Sequence, residues 1–281
     1  MGSSGRVIND THKMSDGRGK TALVTGASSG IGKAFAELLA KKGYAIVLTA
    51  RRRDRIEELA AALRQRHGID AHTIVADLAE PHAPAAIAAE LQRKGLIIDV
   101  LVNNAGYGVP GSYVNVSWLD HSRFMQVLVT AVLDLTYRLL PAMIERGWGR
   151  VINIASVAGM IPAPAGHTLY GASKAFVVRF SEALAAENMS RGVNVTAVCP
   201  GFTLSEFHDV TGTRDRMNKM PGFLWLTAAD VAREGYAAVM RGDPVIVNGR
   251  IYQLLVWLNG ALPRSLARWV AGLAGRRYRK T

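Results

Sequence analysis

The 281-residue sequence contains a single cysteine, Cys199, so an intramolecular disulfide is excluded. Structural disulfides belong to oxidising compartments, which makes a reducing compartment the simplest context. Cys199 stands in an apolar run and is interpreted as a small buried strand residue. His, Cys and Asp residues also show no metal-ligand spacing, so we predict no metal site.

Long apolar runs are missing as well. No uninterrupted run reaches the roughly 20 residues that cross a bilayer, and the N-terminal residues have no apolar signal-peptide core. We therefore expect a cytoplasmic protein. Residues 1–19 are polar and rich in glycine and serine, and we interpret them as a disordered leader or tag-like segment outside the fold.

Acidic residues are scarce beside basic ones, 22 against 34, which gives a formal net charge of +12. This charge suits nucleic acid, an anionic membrane surface or an acidic cofactor. Much of the excess lies between Pro244 and Thr281, where no Asp or Glu occurs. Because basic and aromatic residues do not alternate in a recognisable module, we predict no nucleic-acid binding.

The C-terminal residues 251–281 form a basic, apolar extension. Short apolar stretches flanked by arginine are typical of interfacial segments. We expect this extension to lie against a membrane surface, a partner subunit or the substrate entrance. The alternative is a last helix packed on the sheet.

Residues 20–250 alternate short β-rich runs with helical stretches, which is the pattern of a parallel sheet covered on both faces. We predict a single α/β domain with a Rossmann-like, doubly wound, seven-stranded parallel sheet. The predicted strands are Thr21–Thr25, Ala45–Thr49, Ala71–Val75, Val100–Asn103, Arg150–Ile154, Val193–Cys199 and Pro244–Val247. The predicted helices are Ile31–Lys42, Asp54–His67, Ala85–Lys94, Leu119–Glu145, Leu169–Ser190 and Ala229–Met240, with Asp54 and Thr227 as N-caps.

A glycine-rich turn, Thr25-Gly-Ala-Ser-Ser-Gly-Ile-Gly32, follows the first strand and opens the first helix. In such a turn Gly26 permits the tight bend, Gly30 admits a pyrophosphate and Gly32 lets helix and strand pack closely. We predict a dinucleotide site formed by Gly26, Ser28, Ser29, Gly30, Ile31 and Gly32.

The second strand is followed by Arg51-Arg52-Arg53. Sites for NAD place a carboxylate near this position, where it would repel a 2′-phosphate. Guanidinium groups bind a phosphate instead, so Arg51 and Arg52 predict NADP(H) as the cofactor. The alternative is a solvated basic entry to the second helix.

Tyr170 and Lys174 are four residues apart and therefore share one helix face. A nearby cation favours phenolate, which makes a tyrosine a better acid–base group. Such a pair is common by chance, but Ser156 follows a predicted strand end. The carboxyl ends of parallel strands meet at one crevice, so Ser156, the glycine turn, Asn103-Asn-Ala-Gly106 and Pro200-Gly201 should converge there.

In this combination and order the motifs resemble the short-chain dehydrogenase/reductase superfamily through nearly all of residues 20–244. The resemblance implies Tyr170 as the proton donor in carbonyl reduction, Ser156 as the group that polarises the same oxygen, and Lys174 on the nicotinamide ribose. It also implies a set of further cofactor-binding residues: Asp77 and Leu78 near the adenine, then Asn103, Ala105, Gly106, Pro200, Gly201 and Thr203. Dimers or tetramers packed through the helices Leu119–Glu145 and Leu169–Ser190 are implied too.

One position departs from the family pattern. Leu128 stands where the family has an asparagine that helps to hold a water on the proton path. The relay is therefore in doubt, and a catalytically weak NADP-binding scaffold or sensor is the alternative to an enzyme.

The predicted substrate is a mostly apolar ketone, aldehyde or secondary alcohol, because uncharged apolar side chains lie on the segments expected around the crevice. They are Tyr107, Val109, Ile161, Phe202, Phe207, Phe223, Leu224 and Trp225. The alternative is that several of them simply cover the core.

Overall fold

A parallel sheet forms the centre of the molecule. The computed structural model describes residues 17–109, 111–163, 166, 168–204 and 221–262. The strands are β1 Thr21–Thr25, β2 Ala45–Ala50, β3 Ala71–Val75, β4 Val100–Asn103, β5 Gly149–Ile154, β6 Val193–Cys199, β7 Thr203–Leu204, β8 Leu226–Thr227 and β9 Val245–Val247. Seven of them form one sheet in the order β3-β2-β1-β4-β5-β6-β9, and β7 pairs with β8 alone. The predicted seven-stranded, doubly wound sheet is confirmed.

Helices connect these strands. They are α1 Gly30–Lys41, α2 Arg53–His67, α3 Ala83–Arg93, α4 Trp118–Met125, α5 Ala131–Glu145, α6 Thr168–Asn188, α7 Ala228–Arg241 and α8 Arg250–Ala261. Most predicted boundaries agree to within two residues. Thr227 caps α7 as predicted, because its side chain accepts a hydrogen bond from the Asp230 amide. The prediction of Asp54 as the N-cap of α2 is wrong: Arg52 occupies the N-cap, and Asp54 lies in the first turn.

The sheet is buried on both faces, since neighbouring residues of one strand point to opposite sides. In β1, Val24 joins a cluster with Phe35 of α1, while Leu23 joins the opposite cluster with Leu135 of α5. All four of these side chains are fully buried. Continuous apolar strands therefore hold helices on both faces.

The strand order reverses between β1 and β4, where Leu23 pairs with both Val47 of β2 and Leu101 of β4. At such a reversal the connections leave the sheet toward opposite faces and open a crevice beyond the carboxyl ends of the strands. The fold therefore places the predicted site residues beside one crevice.

The long helix predicted over Leu119–Glu145 is interrupted. A π-turn, Gln126–Thr130, separates α4 from α5, and the Ala131 amide bonds back to the Gln126 carbonyl. Together the 28 helical residues Trp118–Glu145 are long and apolar enough to cross a membrane by length and composition. The core helix of a soluble protein passes the same test, and Leu128 and Leu135 are buried in the core cluster.

Several predictions concern residues outside the described part of the chain. They include the leader residues 1–16, most of the long connection after β6 with Phe207, and residues 263–281 of the C-terminal extension.

Candidate active site

The glycine turn lies between β1 and α1. Gly26 and Gly30 have φ angles of 64° and 56°, which side-chain-bearing residues rarely adopt. A Cβ at Gly32 would meet the Asn104 amide and the carbonyl of Gly26. Ile31 packs against the core beneath the turn. Gly26 and Gly30 thus meet a conformational need and Gly32 a steric one, while the pyrophosphate contact at Gly30 stays a prediction.

Asn104 and Thr25 fasten this turn to β4. The Asn104 side-chain amide donates to the carbonyls of Thr25 and Gly26 at 2.9 and 3.2 Å. The Thr25 hydroxyl accepts from the amides of Asn104 and Ala105 at 2.9 and 3.0 Å. Sequence reasoning quoted Asn104 within its motif but gave it no role. Its position directly after the strand that neighbours the glycine turn was the available signal.

The Asn103 side chain does not bond the glycine turn, unlike that of its neighbour Asn104. Its side chain is buried and donates to the Thr136 hydroxyl and to Asn153 Oδ1 at 3.1 and 2.9 Å. Asn153 in turn donates to the Ser181 hydroxyl at 2.9 Å. The Asn103 side chain therefore joins β4, β5, α5 and α6 inside the core, and only its backbone lies at the crevice edge.

Two arginines follow β2 and point in different directions. Arg52 donates to the hydroxyls of Ser28 and Ser29 at 2.8 and 3.0 Å, which places its guanidinium on the glycine turn. Arg51 lies 3.9 Å from the Asp77 carboxylate and its side chain is 69% exposed. Asp77 also accepts from the Ala79 amide, and Leu78 between them is buried. Both arginines, Asp77 and the turn therefore surround one end of the crevice.

Ser156, Tyr170 and Lys174 meet at the other end. Ser156 follows β5, and its hydroxyl accepts from the Ala158 amide and donates to the Pro200 carbonyl. Its hydroxyl also acts on the Tyr170 phenol, whose pKa it tends to lower. Lys174, one turn after Tyr170, donates to the Ile154 carbonyl at 2.7 Å, and its Nζ lies 5.8 Å from the centroid of the Tyr170 ring. The three side chains predicted to share a site are thus brought together.

Burial controls the ionisation of this group. Burial raises the pKa of the Tyr170 phenol, and its hydrogen bond to Ser156 only partly opposes the rise. Burial also lowers the pKa of Lys174 to about 8. We expected a nearby cation to lower the pKa of Tyr170, but loss of solvent is the larger influence on this phenol. Burial likewise raises the pKa of the nearby Cys199 thiol to about 12, which fits an inert strand residue.

The segment that follows β6 lies beside the crevice. Pro200 accepts from the Val157 amide at 3.1 Å, and Thr203, which is buried, donates to the Gly201 carbonyl at 3.1 Å. A Cβ at Gly201 would collide with the ring of Tyr252. The Tyr252 hydroxyl accepts from the Phe202 amide and donates to the Leu224 carbonyl. Helix α8 thereby fixes the segment, a role that a single tyrosine in an apolar stretch did not reveal.

A pocket beside Tyr170 lies between the segment after β4, α4 and the start of α6. Its other lining residues are Val109, Gly111, Tyr113, Val116, His121, Phe124, Gly166, Thr168 and Leu169. None of these described lining residues is Asp, Glu, Lys or Arg. Of the apolar side chains predicted here, Val109 lines the pocket and Tyr107 packs edge-on against Phe124. Phe202 packs against Trp225, and Phe223 is 70% exposed.

Leu128 lies in the π-turn and is fully buried. A Cβ at Gly106 would lie 3.8 Å from Leu128 Cδ1, so the leucine side chain packs directly under the Asn103–Gly106 segment. The position where the family has an asparagine is therefore occupied by an apolar contact that supports the crevice floor.

Several known proteins are similar to this chain in sequence and in fold. A family model described as short chain dehydrogenase matches residues 20–215. Over 200 residues the chain is 39% identical to a very-long-chain 3-oxoacyl-CoA reductase of Anas platyrhynchos, covering 69% of this chain and 63% of that relative. The chain thus spans less than two thirds of that relative's length.

Two solved structures are similar. A short-chain dehydrogenase from Sphingobium yanoikuyae in complex with NADPH has a TM-score of 0.77 and 32% identity, covering 86% of this chain and 93% of that chain. A bulky-bulky ketone specific alcohol dehydrogenase from Comamonas testosteroni has a TM-score of 0.72 and 31% identity, covering 86% of this chain and 91% of that chain.

The depressed pKa of Lys174 predicts how stability varies with pH. Below about pH 8 the folded protein bears the whole cost of burying the ammonium group. Between that pH and 10.5, the unfolded chain keeps a proton that the folded chain has lost, so stability rises with pH. Relative to Lys174→Met, the wild type should gain up to about 3 kcal/mol across this interval. Urea unfolding at several pH values measures the gain.

Lys41→Met is the matched control, because Lys41 is an exposed lysine at the end of α1. The free energy of unfolding of Lys41→Met should vary with pH as that of the wild type does. Parallel stability curves for Lys174→Met and the wild type would contradict the assignment. The hydrogen bond to the Ile154 carbonyl is lost in the variant at every pH and shifts the curve without changing its slope.

Proposed function

Because this chain belongs to the short-chain dehydrogenase family, we propose that it is an NADPH-dependent oxidoreductase that reduces a mostly apolar ketone or aldehyde, or oxidises the corresponding alcohol. The observation that carries the proposal is the group formed by Ser156, Tyr170 and Lys174. Ser156 and Lys174 are buried, and Tyr170 is half-buried beside them, at the same edge of the sheet as the glycine turn.

The residues of this group divide the chemistry between them. When bound, the nicotinamide cofactor supplies the hydride that carbonyl reduction needs, or receives it in the reverse direction. The Tyr170 hydroxyl donates a proton to the substrate oxygen, and the Ser156 hydroxyl orients that oxygen by hydrogen bonding. Hydride on carbon and proton on oxygen together convert a carbonyl into an alcohol. Lys174 provides a positive charge that favours the phenolate left on Tyr170.

The other end of the crevice fits a dinucleotide. The first turn of α1 holds no acidic residue, and the Ser29 side chain does not cap the helix, so its amides face the crevice. Arg51 and Arg52, which lie beside Asp77 and the glycine turn, are the residues that would hold a 2′-phosphate, and Asp77 would lie on the adenine side. These features favour NADP(H) over NAD(H).

The substrate class follows from the pocket beside Tyr170. Six of its ten described lining residues are Val, Leu, Phe or Tyr and none is Asp, Glu, Lys or Arg, so an uncharged lipophilic carbonyl compound or secondary alcohol suits it. The names of the similar proteins agree with this class, since one acts on a very-long-chain 3-oxoacyl-CoA and another on bulky ketones.

Assembly and location follow from exposed apolar side chains. Tyr137 on α5 and Phe176 on α6 are 78% and 46% exposed, which supports a homodimer or homotetramer packed through these helices. In α8 only Tyr252 is buried, which disfavours a last helix packed on the sheet. We place the protein in the cytoplasm, with α8 in peripheral contact with an anionic membrane.

Tyr170→Phe tests the proposed mechanism. The variant removes the transferred proton and keeps the ring, so turnover of hydrophobic ketones should fall by about two to four decades. NADPH binding, measured by fluorescence titration, should be unchanged. Tyr137→Phe removes an exposed hydroxyl and should leave turnover unaltered. Wild-type levels of turnover in Tyr170→Phe would refute the role, and NADPH binding by a wild type without any turnover would favour the scaffold alternative.

Arg51→Ala tests the cofactor preference. A charge-assisted hydrogen bond contributes about 1.5–3 kcal/mol, so the variant should bind NADPH about one to two decades more weakly and NADH almost as before. Arg53→Ala is the matched control, because Arg53 lies two positions on and pairs with Glu57 at 3.2 Å. Arg52→Ala should weaken both cofactors, since Arg52 also holds Ser28 and Ser29. Equal losses of affinity for NADPH and NADH in Arg51→Ala would contradict the role of Arg51 in selecting NADPH.

A double variant, Leu254→Ser with Trp257→Ser, tests the membrane contact. Both side chains are exposed on α8, at 55% and 67%, and each large apolar group contributes about 1.5–3 kcal/mol when it leaves water. Co-sedimentation with phosphatidylserine vesicles should therefore drop more than tenfold. The control is Trp118→Ser, which replaces a tryptophan on α4 that is 75% exposed. This variant should still sediment with the vesicles. A change in oligomer mass without vesicle binding would assign α8 to a partner subunit.

A further inference from the structure

His121 is a buried histidine in the substrate pocket that the proposed mechanism does not use. It lies in α4, is only 7% exposed, and lines the same pocket as Tyr170. Its ring stacks on Tyr113 with centroids 4.6 Å apart and an interplanar angle of 16°. The imidazole is thus held in a fixed orientation at the pocket wall.

The hydrogen bonds of His121 fix its tautomer. Its Nε2 lies 2.8 Å from the Tyr113 carbonyl, which can only accept a hydrogen bond. The neutral ring must therefore carry its proton on Nε2, and Nδ1 presents a lone pair. This Nδ1 is buried and has no hydrogen-bond partner among the described residues.

A buried acceptor without a partner is costly, and the described pocket lining offers no cation or acid that would explain it. We propose that His121 Nδ1 accepts a hydrogen bond from a hydroxyl or N–H group of the substrate, so that the pocket selects apolar carbonyl compounds carrying such a donor. This inference rests on the proposed function of the same pocket. It narrows the substrate from any apolar carbonyl compound to one with a donor remote from the reacting carbon.

Benzylacetone and its derivatives test the proposal, because one carbon skeleton carries the donor in some members and lacks it in others. The probes are the ortho-, meta- and para-hydroxyl derivatives, their methyl ethers, and benzylacetone itself. In the wild type, at least one phenol should exceed its ether and benzylacetone in kcat/KM by about tenfold or more, since a buried acceptor left unpaired penalises the donor-free compounds.

His121→Gln isolates the acceptor. Glutamine places an amide N–H near the position of Nε2 and removes Nδ1, so the bond to the Tyr113 carbonyl is retained. The ratio of kcat/KM for the phenol to that for its ether should fall to within about twofold of unity, mainly through KM. His121→Asn, which keeps an oxygen near the Nδ1 position, should restore part of the preference. Val116→Ala, at another lining residue, should change kcat/KM for all the compounds by the same factor.

The outcomes separate two hypotheses. An undiminished phenol preference in His121→Gln, or equal losses for every compound, would overturn the role of His121 while leaving the reductase proposal intact. If the wild type turned over none of the compounds, the proposed function would fail instead. Calorimetric titration of the phenols and ethers into wild type and His121→Gln would then decide the binding role of His121 without turnover.

Discussion

The contact between the glycine turn and the segment after β4 is the constraint on which the site depends. A single side chain, Asn104, bonds two carbonyls of the turn, while the Thr25 hydroxyl accepts two amides of the other segment. The approach is so close that a Cβ at Gly26 would lie 2.8 Å from the Ala105 backbone. The ends of the neighbouring strands β1 and β4 are thereby held together at the edge of the crevice.

Below this contact, buried polar groups hold the other half of the site. The series Thr136, Asn103, Asn153 and Ser181 links two strands to α5 and α6 through hydrogen bonds of 2.9 to 3.1 Å. Helix α6 also carries Tyr170 and Lys174, so its position relative to β5 sets their distance from Ser156. These hydrogen bonds help to specify one arrangement of the elements, although Asn103 Oδ1 is buried without a partner among the described residues. Ser156, Tyr170 and Lys174 are thus positioned by side chains that lie in the core below the crevice.

The sequence predicted the sheet because every central strand is a short apolar run buried on both faces, and glycines mark the turns. It also predicted that Ser156, Tyr170 and Lys174 meet, since parallel strands end at one edge. It did not predict the π-turn at Gln126–Thr130, because an extra residue in one helical turn leaves the apolar pattern almost unchanged.

Other roles depended on side-chain direction, which spacing does not supply. Asn103 and Asn104 are identical neighbours in the sequence, yet successive side chains near a strand end point to different sides, and only the second reaches the glycine turn. Arg51 and Arg52 diverge for the same reason. The role of Tyr252 could not be predicted because its partners, Phe202 and Leu224, are distant from it in the chain.

The ionisation of Tyr170 and Lys174 bears on the direction of the proposed reaction. Burial disfavours the charged form of each group, so it raises the pKa of the phenol and lowers the pKa of Lys174 to about 8. Near neutral pH the phenol therefore holds its proton, which is the form that carbonyl reduction requires, whereas alcohol oxidation requires phenolate. Lys174 still carries most of its charge there and favours the phenolate that a reduction leaves behind. As pH rises past 8 this charge is lost, and the phenolate loses its electrostatic support just where bulk hydroxide would begin to favour it. These two shifts in pKa therefore favour the reduction direction of the proposed reaction at neutral pH.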